Sequence, residues 1–481
     1  MHPQDERDEQ DDSEGQRRRR RDMLQWAVAA SFALSASACG GGGGGADGAE
    51  GAAPAPAPPA PTGTPTATPT PAPTSGPTPA PTPAPSPAPP APTSSPTPAP
   101  TAAPTPAPTP APTPAPPPPE PPEPIAASLD TITPENQAAT FRHVDRIHPT
   151  RGIARGGPAS VLPAHARSMA SFRFTHQGVS VTPEDFMARR RIGGWIVLKN
   201  GEVATERYGM GNVQSSRWVS FSVAKSVTST LVGAALHDGS LDSLDRRCET
   251  LLPALRGGGY EGTTVRQLLR MTSGVRWSEE YTDPNSDIGR FGDAVRLNRP
   301  GAVLDFVRAR PRANVPGTVF NYNTGDTFVL GALVAAATGM TLSGYLSARI
   351  WSRTGMEADG YWMVEAPDGQ ELAGGALCAT LRDYARFGLF VLRDGVVGAQ
   401  RLLPEGWRDL AGGSEGGSYG YQWWRLGAGA FEGRGLYGQF LSVHPAENIV
   451  SVIWGAGLRP IDGAADEEAM SLLAGVVDFL R

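Results

Sequence analysis

A proline-rich segment near the start of the chain sets the first limit on what the sequence can fold into. Of the 49 prolines in 481 residues, 34 lie in residues 46–124, where they alternate with alanine and threonine. This segment has no lysine, arginine or aromatic residue, so it cannot bury enough apolar surface to offset the entropy lost on ordering. We expect residues 40–124, six glycines followed by the Pro/Ala/Thr-rich segment, to be a disordered linker of polyproline II character. Residues 125–481 are then left to form one large domain in two lobes.

The segment before the linker is typical of an export signal. Five arginines at residues 17–21 precede an apolar stretch at residues 23–38, which is shorter than the roughly 20 residues that a transmembrane helix needs. Cys39 then follows an Ala-Ser-Ala tripeptide that resembles a bacterial lipobox, with alanine where leucine is usual. We predict that residues 1–39 are an export signal of the lipoprotein type and that acylated Cys39 anchors the protein in the bacterial cell envelope. A signal cleaved without lipid attachment is the alternative, and the arginines also resemble a twin-arginine signal.

Charge and cysteine content narrow the class of protein further. The chain carries a net charge of −6 with acidic and basic residues interspersed, which excludes a nucleic-acid binder held by electrostatic attraction. Besides Cys39 there are only Cys248 and Cys378, too few for a disulfide framework. We expect both to be buried small apolar residues. Neither histidines nor cysteines show metal-ligand spacing, so no metal or organic cofactor is predicted.

Hydrophobic periodicity predicts an α+β domain. Two apolar runs on either side of Asn200-Gly201 indicate an antiparallel hairpin, and helical spacing of apolar residues follows. The predicted strands are 195–198, 203–208, 419–424, 439–443 and 449–454, and the predicted helices are 222–237, 264–270, 327–338, 342–350 and 466–480. This order predicts a single antiparallel sheet built from N- and C-terminal strands, flanked by helices and carrying an inserted, mainly helical lobe.

Lysine is almost absent from the chain, and one of its two lysines has an unusual neighbour. Of the 42 basic residues, only Lys199 and Lys225 are lysine, and Lys199 adjoins the hairpin turn as an ordinary strand end. Lys225 lies three residues after Ser222 at the start of a predicted helix, so the amine and the hydroxyl share one helix face. The helix N-terminus favours negative charge at Ser222, and a buried lysine can lose its proton whereas arginine cannot. This S-x-x-K pair therefore predicts a nucleophilic serine assisted by a lysine.

Two G-x-S-x-G sequences offer a competing nucleophile. They lie at residues 412–416 and 416–420, in a Gly/Ser-rich loop that leads into a predicted strand. A nucleophile elbow needs a strand before the serine, a helix after it and a later histidine. We reject both sequences as nucleophile sites, because each serine is followed by a predicted strand and not by a helix. Only one histidine, His444, comes later in the chain and could serve such a triad.

Several segments around the S-x-x-K pair carry a resemblance to known enzymes. They are residues 218–225, 241–243, 252–253, 264–269, 271–275, 280–287, 320–327, 374–384 and 419–424. In this order they resemble the superfamily of serine β-lactamases, penicillin-binding proteins and carboxylesterases, and within it the 6-aminohexanoate-dimer (nylon oligomer) hydrolases and related esterases. The resemblance covers residues 129–481 and implies a β-lactamase-like fold.

The resemblance also implies roles for three residues beyond the S-x-x-K pair. Tyr322 matches the tyrosine of the family's Tyr-x-Asn motif; a cationic lysine nearby would favour its phenolate, making it a general base that later protonates the leaving group. Thr324 stands where that motif has asparagine, which puts the usual hydrogen bond of this position in doubt. Tyr281 matches a tyrosine that contacts the scissile amide in the nylon oligomer hydrolases.

The family's third motif, Lys-Thr-Gly, has no counterpart because no lysine follows Lys225. The aligned segment is residues 434–439. Its glycines, including Gly435, suit a backbone that approaches the substrate, and the resemblance implies that the Leu436 N–H completes an oxyanion hole with that of Ser222. The missing lysine normally helps to bind a substrate carboxylate, so a substrate without that carboxylate is expected.

These features together predict an exported serine hydrolase that cleaves an ester or amide bond of a small molecule through an acyl-serine intermediate. The predicted catalytic residues are Ser222, Lys225 and Tyr322. One alternative is a β-lactamase or DD-peptidase acting on carboxylate-bearing substrates, with Arg434 in place of the missing lysine. The other is a non-catalytic binding module of the cell envelope on the same fold.

Overall fold

A computed structural model describes residues 124–413 and 416–481 of the chain. Residues 1–39, with Cys39, and the linker as far as residue 123 lie outside the described residues, so the expectations about them stay predictions. The helices are α1 (Gln137–Arg142), α2 (Pro183–Arg189), α3 (Val223–His237), α4 (Cys248–Leu251), α5 (Val265–Leu269), α6 (Asp287–Arg296), α7 (Ala302–Arg308), α8 (Thr324–Thr338), α9 (Leu342–Leu346), α10 (Leu381–Leu392), α11 (Trp407–Ala411) and α12 (Gly463–Leu480). The strands are β1 (Thr150–Ile153), β2 (Phe174–His176), β3 (Val179–Val181), β4 (Ile192–Lys199), β5 (Glu202–Tyr208), β6 (Arg217–Val219), β7 (Gly360–Met363), β8 (Leu377–Thr380), β9 (Val396–Val397), β10 (Gln400–Arg401), β11 (Trp424–Gly427), β12 (Ala430–Gly435), β13 (Gln439–His444) and β14 (Ile449–Gly455).

The largest sheet joins the two ends of the domain, as the sequence predicts. Its six strands run in the order β11-β12-β13-β14-β4-β5, and every neighbouring pair is antiparallel. The β4–β5 hairpin turns at Asn200 and Gly201, whose φ angles are +55° and +84°. Positive φ at both turn positions matches the right-handed twist of the two strands, which explains the Asn-Gly pair.

Both faces of this sheet are covered by helices, because its central strands are apolar on both sides. Along β4, Trp195 and Val197 pack on the face covered by α12. Ile196 and Leu198 point to the opposite face and join the main core, which includes α3 and α10. The period-2 alternation of a strand thus connects one strand to two hydrophobic clusters.

The inserted lobe is mainly helical, as expected, and its centre is the contact between α3 and α8. α3 is buried along nearly its whole length, so it carries few exposed polar residues. The N-termini of α3 and α8 lie close to each other, because Lys225 on the first turn of α3 lies over the ring of Tyr322, two residues before α8. Two helix N-termini, with their partial positive charges, therefore lie near one point.

Three features of the fold differ from the sequence-based prediction, and the first is the strand β12, which was not predicted. Instead of a single sheet, the described residues also form a four-stranded antiparallel sheet, β1-β7-β8-β6, and two short hairpins. The predicted strand at 419–424 is wrong: Tyr419 forms only an isolated bridge with Trp424, residues 421–422 form a bend, and the strand β11 begins only at Trp424. Gln422 has φ of +65°, which breaks an extended strand there.

Within the described part of the chain, no single helix is long and apolar enough to cross a bilayer. α8 and the segment 342–351 pass that test only as a pair bent by 70°. Most of α8 is buried within the helical lobe, as in the core helix of many globular domains.

Candidate active site

Ser222 lies at the N-cap of α3, at the point where the chain leaves β6 and enters the helix. Phe221, immediately before it, has φ of +44°, a left-handed conformation that is costly for an aromatic residue. Backbone strain of this kind costs of the order of 1–3 kcal/mol and persists only where the surroundings hold it. Here the Phe221 ring packs against Phe141 and Tyr437, with centroids 5.0 and 5.2 Å away. The aromatic contacts therefore hold the turn that presents the Ser222 hydroxyl.

Lys225 is buried, with 1 % of its surface exposed, and its amine faces Ser222. Its Nζ donates to Ser222 Oγ at 3.0 Å and to the Gly374 carbonyl at 2.9 Å. Burial lowers the pKa of Lys225 to about 8, and the nearby carboxylate of Glu279 opposes this shift. A lysine with this pKa has a substantial neutral fraction near neutral pH and can accept the serine proton. Lys199, the other lysine, donates to the Glu447 carbonyl at a strand end and has no comparable environment.

Tyr322 completes a group of three side chains. The Lys225 Nζ lies 5.0 Å from the centroid of the Tyr322 ring, and Tyr322 shares a side-chain hydrogen bond with Ser222. Its ring stacks on Trp424, with centroids 5.6 Å apart and planes 21° from parallel. Burial and the charge of Glu279 raise the pKa of Tyr322 well above its ordinary value, and only the bond to Ser222 opposes them. The expectation that its phenolate is favoured is therefore wrong, and Tyr322 is a protonated phenol near neutral pH.

Glu279 accepts hydrogen bonds from several residues around the site, and it was not predicted from the sequence. Its carboxylate accepts hydrogen bonds from Tyr281 OH at 2.7 Å, from the Thr324 N–H at 3.1 Å, and from the Thr324 hydroxyl and the Trp277 indole. Thr324 is the first residue of α8, so the carboxylate also lies at a helix N-terminus. Thr324, at the family's asparagine position, thus bonds to Glu279. The only signal in the sequence was an acidic residue two positions before Tyr281.

Leu436 lies in the turn between β12 and β13 and lines the same two cavities as Ser222. A Cβ on Gly435 would lie 2.5 Å from the Ser220 carbonyl oxygen, so only glycine allows this approach of the two backbones. Among the described residues, neither the Ser222 N–H nor the Leu436 N–H donates to another protein group. Two unused N–H groups at the same cavities as a serine hydroxyl can hold an oxyanion.

Two cavities meet at this group of residues, and Ser222, Tyr281 and Leu436 line both of them. The larger has a volume of about 350 Å³ and extends along α6. The smaller has a volume of about 60 Å³ and is lined by Tyr322 and Trp424, among others. The structure thus brings together the seven residues predicted to act in the site, Ser222, Lys225, Tyr322, Tyr281, Thr324, Gly435 and Leu436, and Arg434 of the alternative prediction lines the smaller cavity as well.

Ser418 of the second rejected motif and the two cysteines line neither of the two cavities. Ser418 lies in a bend followed by the strand β11 rather than by a helix, so it lacks the geometry of a nucleophile elbow. Ser414, the serine of the other motif, lies outside the described residues. Cys248 and Cys378 are both fully buried free thiols, and burial raises the pKa of each. As expected, they behave as small apolar residues.

The fold and the arrangement around Ser222 define a class of protein: serine hydrolases with the fold of β-lactamases and penicillin-binding proteins. The family model described as Beta-lactamase matches residues 182–474, more than half of the chain. The chain belongs to this β-lactamase family.

Individual relatives agree with this assignment. The 6-aminohexanoate-dimer hydrolase of Paenarthrobacter ureafaciens is 30% identical over 343 residues, which cover 66% of this chain and 85% of that protein. A β-lactamase of Pseudomonas fluorescens is 25% identical over 206 residues, 40% of this chain and 52% of that protein. A solved structure from Bacillus anthracis, proposed to be a 6-aminohexanoate-dimer hydrolase, shares the fold with a TM-score of 0.65. It is 24% identical and covers 74% of this chain and 96% of its own. These relatives are hydrolases, which supports hydrolase activity for this chain.

Proposed function

We propose that the chain is an exported serine hydrolase that cleaves ester or amide bonds of small molecules through an acyl-Ser222 intermediate. The observation that carries the proposal is the 3.0 Å contact between Lys225 Nζ and Ser222 Oγ, made by a buried amine at a helix N-terminus. A hydroxyl and a deprotonable amine in contact are the two groups that nucleophilic catalysis by serine requires.

In the proposed reaction, Ser222 Oγ attacks the carbonyl carbon and its proton passes to neutral Lys225. The carbonyl oxygen becomes an oxyanion held by the N–H groups of Ser222 and Leu436. When the bond to the leaving oxygen or nitrogen breaks, the Tyr322 phenol donates a proton to that atom and regains one from Lys225. Water then attacks the acyl-serine, and the acid leaves while Ser222 recovers its proton.

A β-lactamase or DD-peptidase specificity has less support. Arg434, the candidate replacement for the missing lysine, forms an ion pair with the buried carboxylate of Glu432. Part of its charge is therefore already neutralised within the protein, which weakens it as a receptor for a substrate carboxylate. We expect p-nitrophenyl butyrate to be hydrolysed faster than the β-lactam nitrocefin, and the opposite order would reverse this preference.

The nucleophile assignment is tested by covalent labelling. A fluorophosphonate probe should label the wild-type protein at Ser222 and should not label Ser222→Ala. Lys225→Arg keeps the positive charge but has no removable proton, so ester turnover should fall about a hundredfold or more. A wild-type protein that is neither labelled nor active on p-nitrophenyl acetate would favour the non-catalytic binding module.

We further propose that the protein is located in the bacterial cell envelope and anchored through acylated Cys39. The support is sequence alone: an arginine run, a short apolar stretch and a cysteine after small residues. The linker of residues 40–124 would then be a spacer between the membrane and the hydrolase domain.

A further inference from the structure

The larger cavity beside Ser222 has an almost entirely apolar wall. Its wall includes six large apolar side chains: Phe221, Ile288, Phe291, Val295, Met363 and Leu372. Its volume of about 350 Å³ is in the range of ligand-binding pockets. If each heavy atom occupies about 30 Å³, as a water molecule does in the liquid, the cavity holds on the order of ten heavy atoms.

The charges around this cavity favour an uncharged occupant. Within the described part of the chain, its wall includes three basic side chains, His148, Lys225 and Arg296, but no aspartate or glutamate. Arg296 lies on α6 at the wall with about half of its side chain exposed, and it forms an ion pair with Asp293. Glu279 lies behind Tyr281 and already accepts its hydroxyl. An ammonium group along the α6 wall would therefore lose its hydration and find no carboxylate in that wall, which is a large energetic cost.

The position of the proton donor determines which half of a substrate enters which cavity. Tyr322, which would protonate the leaving group, lines the smaller cavity and not the larger one. The smaller cavity is also more polar, since Arg434 and Asp466 contribute to its wall. The leaving group therefore belongs beside Tyr322, and the acyl group extends along α6.

We propose that the larger cavity binds the acyl group of the substrate and selects an uncharged, apolar acyl chain of about six to ten carbons. This inference rests on the proposed function and specifies its substrate class. It also separates this chain from its Paenarthrobacter relative, whose name gives a substrate with a 6-aminohexanoyl group, that is, an acyl chain that ends in an ammonium.

The first test uses full-length protein and p-nitrophenyl esters of increasing acyl length. Each buried methylene should improve kcat/KM up to about threefold to fourfold, so octanoate should exceed acetate by at least about tenfold. The 6-aminohexanoate ester should be at least about tenfold poorer than hexanoate, because its ammonium is desolvated. The proposal would be overturned if kcat/KM for the acetate ester equalled that for the octanoate ester. Equal kcat/KM values for the 6-aminohexanoate and hexanoate esters would overturn it as well.

A second test fills the cavity. Gly292 lies on α6 in the cavity wall, and a Cβ there would have only Arg296 Nη1 nearby, at 3.6 Å. Gly292→Leu should therefore lower the octanoate-to-acetate ratio of kcat/KM by about tenfold or more. Gly157→Leu is the matched control, because Gly157 is exposed and a Cβ there meets nothing within 4 Å. An unchanged ratio in folded Gly292→Leu would contradict the proposal.

The orientation of the substrate is tested separately. Octyl acetate and ethyl acetate vary the alcohol at constant acyl group, and we expect less than about a threefold difference in kcat/KM between them. A large preference for octyl acetate would place the leaving group in the apolar cavity and overturn the assignment. Absence of both ester hydrolysis and fluorophosphonate labelling would instead reject the proposed function, and this inference with it.

Discussion

At the scale of single residues, the site depends on the charge balance around one amine. Burial disfavours the Lys225 ammonium, whereas the Glu279 carboxylate favours it, and the resulting pKa is about 8. Arginine serves nearly all other cationic positions of the chain, but it cannot be deprotonated near neutral pH. The pH dependence of turnover therefore reports on the environment of Lys225.

We predict that kcat for p-nitrophenyl butyrate falls as the pH drops below about 8, because the ammonium form of Lys225 cannot accept the Ser222 proton. In Glu279→Gln the negative charge that raises the Lys225 pKa is lost, so the acid limb should move to lower pH. The plateau rate should also fall, since glutamine replaces a carboxylate that accepts bonds from Tyr281 and Thr324. A limb that moves to higher pH, or one that does not move, would contradict the assignment of Lys225 as the base.

The glycine whose carbonyl binds Lys225 gives a second prediction. A Cβ on Gly374 would lie 2.9 Å from Thr324 Cγ2 and 3.4 Å from Lys225 Nζ. Gly374→Ala should displace one of these groups and lower kcat by about tenfold to a hundredfold, because small displacements of catalytic groups are costly. In Gly375→Ala, by contrast, the nearest atoms are those of Phe221 at 4.0 Å. The kcat of that variant should remain within about threefold of the wild-type value. Equal losses of kcat in the two variants would argue against a steric effect at Lys225.

Ser222 and Lys225 were predictable because their contact is local: three positions on one helix face put both groups together whatever the rest of the chain does. Tyr322 and Tyr281 were found through the resemblance alone, since their sequence positions lie far from Ser222. Glu279 was missed because its role depends on where a loop places it relative to α8. The direction of the Tyr322 pKa was mispredicted because neither the burial of its ring nor the nearby Glu279 carboxylate could be inferred from the sequence.

At the scale of secondary-structure elements, the turn between β12 and β13 lies in the segment that the resemblance aligns with the missing third motif. The amide of Gln439, buried at 2 % exposure, joins three elements at this turn. It accepts bonds from the Trp218 indole at 3.1 Å and the Gly455 N–H at 3.0 Å, and donates to the carbonyls of Leu436 at 3.0 Å and Gly455 at 2.6 Å. Gln439 thereby fixes the peptide that precedes Tyr437 and, with it, the turn that carries the Leu436 N–H.

We predict that Gln439→Leu lowers both the Tm and kcat, because several buried polar groups lose partners at about 1–3 kcal/mol each and the oxyanion turn loosens. Gln422→Leu is the matched control: Gln422 is equally buried and bonds to the carbonyls of Leu268 and Leu269 instead. Thermal unfolding should show a lower Tm than wild type for both variants. Only Gln439→Leu should lose more than about tenfold in kcat, and a similar kcat loss in both would count against a specific role of the turn.

The accuracy of the predicted elements follows their length and patterning. Four strands of the large sheet, β4, β5, β13 and β14, and the helix α12 were predicted to within a few residues, because their apolar runs are long or end at turn residues. The strand β12 was not predicted, since two of its six residues, Gly433 and Gly435, are glycines, which are uncommon in strand interiors. The second sheet was not predicted, since its strands are only three or four residues long and come from three separate parts of the chain. The error at 419–424 has another cause: an aromatic-rich segment resembles a strand, but these rings cluster around Trp424 beside the site.

At the scale of the whole molecule, the described residues contain every side chain proposed to act on the substrate, whereas the proposed export signal and linker precede them. Catalysis and location should therefore be separable. A protein consisting of residues 125–481 should keep kcat/KM within about twofold of the full-length protein and show the same Tm, because no group assigned to the site is removed. A substantial loss of either would show that residues 1–124 contribute to the folded domain.

Because catalysis and location are separable, replacing Cys39 should change the location of the protein and leave its activity unchanged. Without this thiol no lipid can be attached, so Cys39→Ser expressed in a bacterium should move from the membrane fraction to the soluble envelope or culture fraction. Because a single acyl chain binds membranes only marginally, whereas multiple chains hold stably, the wild-type protein should remain in the membrane pellet after a high-salt wash. The p-nitrophenyl butyrate activity per molecule should be equal in both forms, since Cys39 has no part in the reaction. Wild-type protein in the soluble fraction would indicate a cleaved signal without lipid, and Cys39→Ser retained in the membrane would point to an uncleaved apolar stretch at residues 23–38 as the anchor.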